Sequence, residues 1–303
     1  MATKKAPAAP EKAGSQGSPA EADDRAPALK SERMEAALRR ALDGAPADLF
    51  DQLVRGSGMP GPRPNLDLAR AVGAAIARAG ARGQALLSAL RAEKHDYFII
   101  VAAQVQAARL AAGKKDAAEE LQQIAEDPRH LVRDGVIDAL RAQMEARGEA
   151  AIRDLASWTD GYLQAHVALS AVADRAVLAR LPASAAPEVL ARLDEAFALA
   201  DKSPRAAERL QGVRQLRQAL PTQIATIAAR YPETIQWLTA QAAAIERPES
   251  REVLTQAISA LRKESFPIAE ADRLTAALAA SAPPPRDPSR IVQGTRKRSK
   301  GRR

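Results

Sequence analysis

Asp96, Asp127, Asp160, Ser203 and Arg247 each stand just before an amphipathic run, at separations of 31, 33, 43 and 44 residues. A helical unit that recurs at a near-fixed period cannot close a core by itself. Successive copies bury their apolar faces by leaning on one another. This feature predicts an all-α chain folded as a right-handed α-solenoid of helical hairpins. The clearest copy runs from Asp127 to Leu140. Asp127 reads as the N-cap and Pro128 as the first helical residue, where a missing N–H is harmless. Val132, Val136 and Leu140 then recur every four residues as the buried stripe. Gly135 sits inside this helix at a cost of about 1 kcal/mol relative to alanine, which predicts the close approach of a neighbouring helix.

Composition agrees with helices. Apolar residues make up 46% of the chain but aromatics only 3%, and alanine, the best helix former, supplies much of the apolar count. The one short strand candidate, Tyr97 to Val101, runs straight into an Ala/Gln/Arg stretch. Helices are expected near 32–43, 47–55, 66–79 (capped by Asn65 and ended by Gly80) and 83–93. Partner helices are expected near 115–126, 149–157, 187–200 and 222–245, the last broken or kinked at Tyr231-Pro232. Residues 1–31 and 282–303 are too poor in large aliphatics to offset chain entropy and are expected to be disordered tails around a repeat domain of 32–281.

The Asp-Pro entry of 127–140, followed by Val132-Arg133 and apolar residues at four-residue spacing, resembles HEAT-like helical repeats. The resemblance covers about 95–263 and more loosely 34–94. It implies a non-enzymatic scaffold with a protein partner on a concave face. It also invites comparison with the DNA alkylation-repair proteins, which resemble HEAT solenoids and use aromatics and an aspartate in a groove. That comparison implies Trp158, Asp160, Tyr162 and Trp237 as a DNA groove, with Asp160 stabilising a developing sugar cation. Against this, Asp160 reads more simply as a helix N-cap and Trp158 as a core residue.

The net charge of +8 is unevenly placed. Residues 283–303 carry eight basic groups and one acid, whereas residues 34–282 carry 31 of each sign. The cations Arg296, Lys297, Arg298, Lys300, Arg302 and Arg303 are therefore the expected polyanion-binding residues, acting by counterion release, with nucleic acid among the polyanions that would serve. Lys202, Arg205, Arg209, Arg214 and Arg217 form the one dense basic run of the body, read as a solvated helix with its stems over apolar neighbours.

No enzyme motif emerges. Cysteine is absent, which removes disulfides and thiolate chemistry and fits the cytoplasm. His95, His130 and His166 fall at different points of their units, too far apart for one metal, and no cofactor is expected. The glycines of 56–61 lack the Gly-Lys-Ser/Thr ending of a phosphate cradle, and no Gly-x-Ser-x-Gly elbow exists. No run of about 18 uncharged apolar residues is present, so no transmembrane segment is expected. Lys4 and Lys5 are not followed by the apolar stretch of a signal peptide.

Overall fold

The computed structural model describes residues 31–282, except Pro62, Lys94 and Ser265. Both expected tails therefore lie outside the described residues, apart from Ser31 and Ala282. The described residues form fifteen α-helices, three short 3₁₀ turns and no strand. None of these helices is long and apolar enough to cross a membrane. The chain divides into two compact units. One comprises the residues up to Ile124 with Arg129–Ala139, the other Ala125–Pro128 with the residues from Leu140 onward.

The first unit contains α1 (Glu32–Leu42), α2 (Ala47–Gly56), α3 (Leu66–Arg78), α4 (Gly80–Ala92), α5 (Asp96–Ala111), α6 (Asp116–Ala125) and the first half of α7 (His130–Arg147). Asn65 caps α3 as its sequence position predicts: its Oδ1 accepts from the Leu68 N–H at 3.1 Å. α5 is the centre of this unit. Residues 97–107 are buried except Ile99, so the strand candidate Tyr97–Val101 forms the first turns of a helix apolar on nearly all sides. α3 and the first half of α7 lie against it through glycines. A Cβ on Gly73 would meet Gln104 Cβ at 2.7 Å and the Gln104 carbonyl carbon at 2.9 Å. One on Gly135 would meet Ile100 Cγ2 at 2.8 Å, which is the close approach its place in the helix implies.

One polar network crosses this row of three helices. Gln104 Nε2 donates to the Gly135 carbonyl (3.1 Å) and to Asp138 Oδ2 (3.0 Å), and Arg70 donates to the same carboxylate through Nε (2.9 Å) and Nη2 (3.2 Å). The buried amide is thereby satisfied, as burial requires.

The second unit contains the rest of α7, α8 (Glu149–Arg153), α9 (Tyr162–Val172), α10 (Arg175–Arg180), α11 (Ala186–Asp201), α12 (Gln211–Arg230), α13 (Glu233–Ala244), α14 (Pro248–Lys263) and α15 (Ile268–Ala280). α12 packs on α9 and on α14 to make one row; α13 packs on α15 and meets α11 through the side chains of Trp237 and Gln241, which makes a second. Gly212 lets α12 approach α9, because a Cβ there would lie 2.9 Å from Tyr162 Cβ.

Arginines close the helix ends of this unit. The last carbonyls of a helix lack intrahelical donors, and a guanidinium offers several at once. Arg217 donates to Ala200 O at 3.0 Å, and Arg230 to Leu178 O at 3.0 Å and Leu181 O at 2.7 Å. Arg247 reaches Asp201 O, and Ser203 O at 2.7 Å. Arg251 reaches Leu278 O, and Ser281 O at 3.1 Å.

Several predicted boundaries move. α7 begins at His130, so Pro128 precedes the helix instead of opening it and Asp127 lies three residues before it; the Arg133 N–H donates to the Arg129 carbonyl at 3.3 Å. Asp160 is not an N-cap. Its backbone is helical (φ −74°, ψ −27°) at the end of a 3₁₀ turn over Asp154–Thr159, and the extended residue before α9 is Gly161. Asp96 lies inside α5, where His95 holds the cap position and its Nδ1 accepts from the Tyr97 N–H at 3.2 Å. Ser203-Pro204 leads into a 3₁₀ turn at Arg205–Arg209, and the helix proper starts at Gln211 and continues through Pro221. The expected helix of 222–245 is thus the end of α12 plus α13, separated at Tyr231-Pro232. α10 and the two turns at Ala183–Ala185 and Arg205–Arg209 lie between the later entries, whose spacing widens from the low thirties to the mid-forties.

Candidate interaction face

The second row of the second unit differs in charge from the first. α11, α13 and α15 carry seven carboxylates and two arginines, a net −5. α9, α12 and α14 carry two carboxylates and six cations, a net +4. Much of the positive charge is occupied in capping and pairing. Arg217 forms a fork on Glu208 (2.7 and 3.1 Å), and its guanidinium holds the Glu208 carboxyl below the usual range. The carboxylates are less committed. Glu188 pairs with Arg153, Glu195 with Arg192, and Asp272 with Arg262, but no described cation lies within ion-pair distance of Asp194, Glu233 or Glu270.

Trp237 stands in the middle of this acidic row. It is partly exposed, its indole Nε1–H donates to Asp194 Oδ1 at 2.8 Å, and its ring meets Phe197 edge-on at 5.4 Å and 85°. Gln241, one turn further along α13, donates Nε2 to the same oxygen at 3.2 Å. These two bonds fix the rotamer of an exposed carboxylate and leave Oδ2 for another donor. Beside Asp194, Glu195 packs against the inward-turned Arg192, and burial pushes its carboxyl above the ordinary range against the pull of that arginine. The result is an indole held at a defined orientation among carboxylates. The chemistry of such an arrangement suits a guanidinium or ammonium, through cation–π contact and ion pairing together.

The residues singled out by sequence as a DNA groove do not share one environment. Trp158 is 2% exposed and packs in the core, so its ring offers no face to a base. Asp160 is exposed at the end of its turn, and Tyr162 lies at the α9–α12 approach with its Cβ against Gly212. Only Trp237 takes part in an organised surface site. The cations Arg296, Lys297, Arg298, Lys300, Arg302 and Arg303 lie outside the described residues. The basic run also resolves differently from a single solvated helix. Lys202, Arg205, Arg209 and Arg214 are exposed along a 3₁₀ turn and the start of α12, whereas Arg217 is the buried-end clamp described above. The His95 ring lies tilted against Phe98, with centroids 4.8 Å apart, and among the described residues no group of His, Asp and Glu converges on a metal position.

Sequence reasoning missed Asp194, Phe197 and Gln241. Asp194 lies 43 residues from Trp237, so no local pattern joins them. A usable signal was present in the charge of each helix taken separately. The neutral total of the body conceals an acidic row beside a basic one. No family model, no curated protein and no solved structure matches the chain.

Proposed function

We propose that this chain is a non-enzymatic helical-repeat scaffold that holds a basic segment of a partner protein on the α11–α13 face. The observation that carries the reading is the Trp237–Asp194–Gln241 arrangement on a row of net charge −5. The file of α9, α12 and α14 with α11, α13 and α15 alongside, and the similar file of α3, α5 and α7, support a HEAT-like solenoid in which each hairpin borrows part of its core from the next. The basic residues of 286–303 give the scaffold a second, weaker attachment to polyanions, nucleic acid among them.

A peptide array of basic, neutral and acidic segments, probed with the full chain, tests this. Basic segments should be retained, and both Asp194→Lys and Trp237→Ala should release them. Equal retention by the variants, or retention of acidic segments alone, would overturn the reading.

A further inference from the structure

The segment that joins α11 to α12 gathers positive charge with little to neutralise it. Lys202, Arg205, Arg209 and Arg214 fall within thirteen residues, and all four are exposed. Among the described residues no carboxylate lies within ion-pair distance of any of them. The one acid between Lys202 and Arg214 is Glu208, and it is already taken: Arg217 holds it in a fork, and Arg217, with Arg247 and Arg205 at longer range, keeps it ionised. The four exposed cations are thus left to solvent, in contrast to the arginines that close helix ends elsewhere in this unit.

The backbone that presents them is tied down. Ser203 is 1% exposed; Arg247 donates to its carbonyl at 2.7 Å and Arg217 to its Oγ at 2.7 Å. The 3₁₀ turn of Arg205–Arg209 is closed by Ala207 N–H on Pro204 O and Leu210 N–H on Ala207 O, each at 2.8 Å, and Arg214 N–H reaches Leu210 O at 3.3 Å in the first turn of α12. Leu210 is extended (φ −67°, ψ 138°), so the arginines do not follow one helical wheel. Four residues of 3₁₀ helix set Arg205 and Arg209 about 8 Å apart in rise. One extended step and one helical turn carry the chain at most about 10 Å further to Arg214. Charges recur every ~3.4 Å along one strand of a nucleic acid, so three guanidiniums at this spacing cover roughly five phosphates.

We propose that the segment from Lys202 to Arg214 is a site on the folded body for the phosphodiester backbone of nucleic acid, bound by Lys202, Arg205, Arg209 and Arg214 through ion pairing and counterion release. Three of the four cations are arginine, whose planar fork matches phosphate oxygens. The segment holds no aromatic side chain on which a base could stack, so binding is independent of sequence. Leu210, 52% exposed, is its only exposed large apolar side chain. One leucine is too little to anchor a membrane and too little for the desolvated centre of a protein interface, which leaves the nucleic-acid backbone as the polyanion that charge alone can hold. The inference is independent of the reading of the α11–α13 face.

Binding of a labelled DNA duplex of random sequence to the full chain, followed by fluorescence anisotropy over a range of salt, tests this. The patch variant combines Lys202→Gln, Arg205→Gln, Arg209→Gln and Arg214→Gln. The control combines Arg33→Gln, Arg39→Gln, Arg55→Gln and Lys115→Gln, which removes the same charge from exposed positions of the first unit. All eight side chains are exposed, so far-UV circular dichroism of both variants should match the wild chain. If all four cations meet phosphates, the patch variant should have a log Kobs–log salt slope shallower by about 3.6. Between 50 and 200 mM salt the wild chain should then lose about 150-fold more affinity than the patch variant. The control should keep the wild slope. An unchanged slope in the patch variant would overturn the proposal and leave the cations of 286–303 as the attachment. Equal loss in patch variant and control would overturn it too, since that marks net charge and not a site. Patch-dependent binding to phosphatidylserine vesicles or to polyglutamate, with duplex binding unaltered by the patch variant, would overturn it in favour of a membrane or an acidic protein.

Discussion

Gly73→Ala should destabilise the chain, although alanine is the better helix former. In an unconstrained helix interior the change gains about 1 kcal/mol. Here the added Cβ would sit 2.7 Å from Gln104 Cβ, 2.9 Å from the Gln104 carbonyl carbon and 3.0 Å from the Val105 nitrogen. Two of these atoms are backbone of a helix buried on nearly all sides, so they cannot turn aside as a side-chain tip would. α3 and α5 must separate, and the Gln104–Asp138–Arg70 bonds lengthen with them. Overpacking of this kind costs about 1–3 kcal/mol, and backbone contacts place it at the upper end. Subtracting the propensity gain leaves a net loss of about 2 kcal/mol. With a urea m-value of ~2–3 kcal/mol/M, the midpoint followed by far-UV circular dichroism should fall by about 0.7–1 M. A rise in the midpoint would show that α3 and α5 do not meet at Gly73 and would refute the row of α3, α5 and α7.

Gly135→Ala should lose less than Gly73→Ala by the same assay, because its new Cβ meets only the Ile100 side chain, nearest at 2.8 Å. Asp194→Ala removes the acceptor of the Trp237 indole and should shift tryptophan emission while costing about 1 kcal/mol or less; Asp194→Asn, which keeps an acceptor, should cost less. Arg251→Ala strips donors from the last carbonyls of α15, so amide exchange should quicken selectively over Ile268–Ser281, read by mass spectrometry. Glu208 has a folded pKa held below its unfolded value by Arg217, so its stabilisation is complete above about pH 4.3 and is lost as pH falls through the folded value; Glu208→Gln should flatten the acid limb of a stability–pH curve there and leave its slope unchanged near neutrality.

Helix content and the order of the main helices were legible in the sequence, because apolar spacing and alanine richness report directly on which faces are buried. Of the five entries, Asp96 is the first residue of α5, and Asp127, Asp160, Ser203 and Arg247 stand before α7, α9, α12 and α14. What failed was the chemistry of the entries. An aspartate before a helix is an N-cap only if its own backbone is extended, and Asp160 is held helical by the turn that delivers it. Pro221, just before the expected helix of 222–245, lies inside α12, where burial of Leu216, Leu220 and Ile224 on either side outweighs its missing N–H. The Trp237 site was half visible. The tryptophan stood out by rarity, but its partners on α11 depend on the pairing of helices some forty residues apart. Net charge summed over the body erased the contrast that marks the face.

The indole N–H region of a ¹H–¹⁵N spectrum tests the central claim most directly, since the chain has two tryptophans, one in the core and one on the acidic row. On titration with a short arginine-rich peptide, the Trp237 signal should move saturably while the Trp158 signal stays in place, and an acidic peptide should move neither. A shift at Trp158, or none at Trp237, would contradict the assignment of the α11–α13 face as the binding surface.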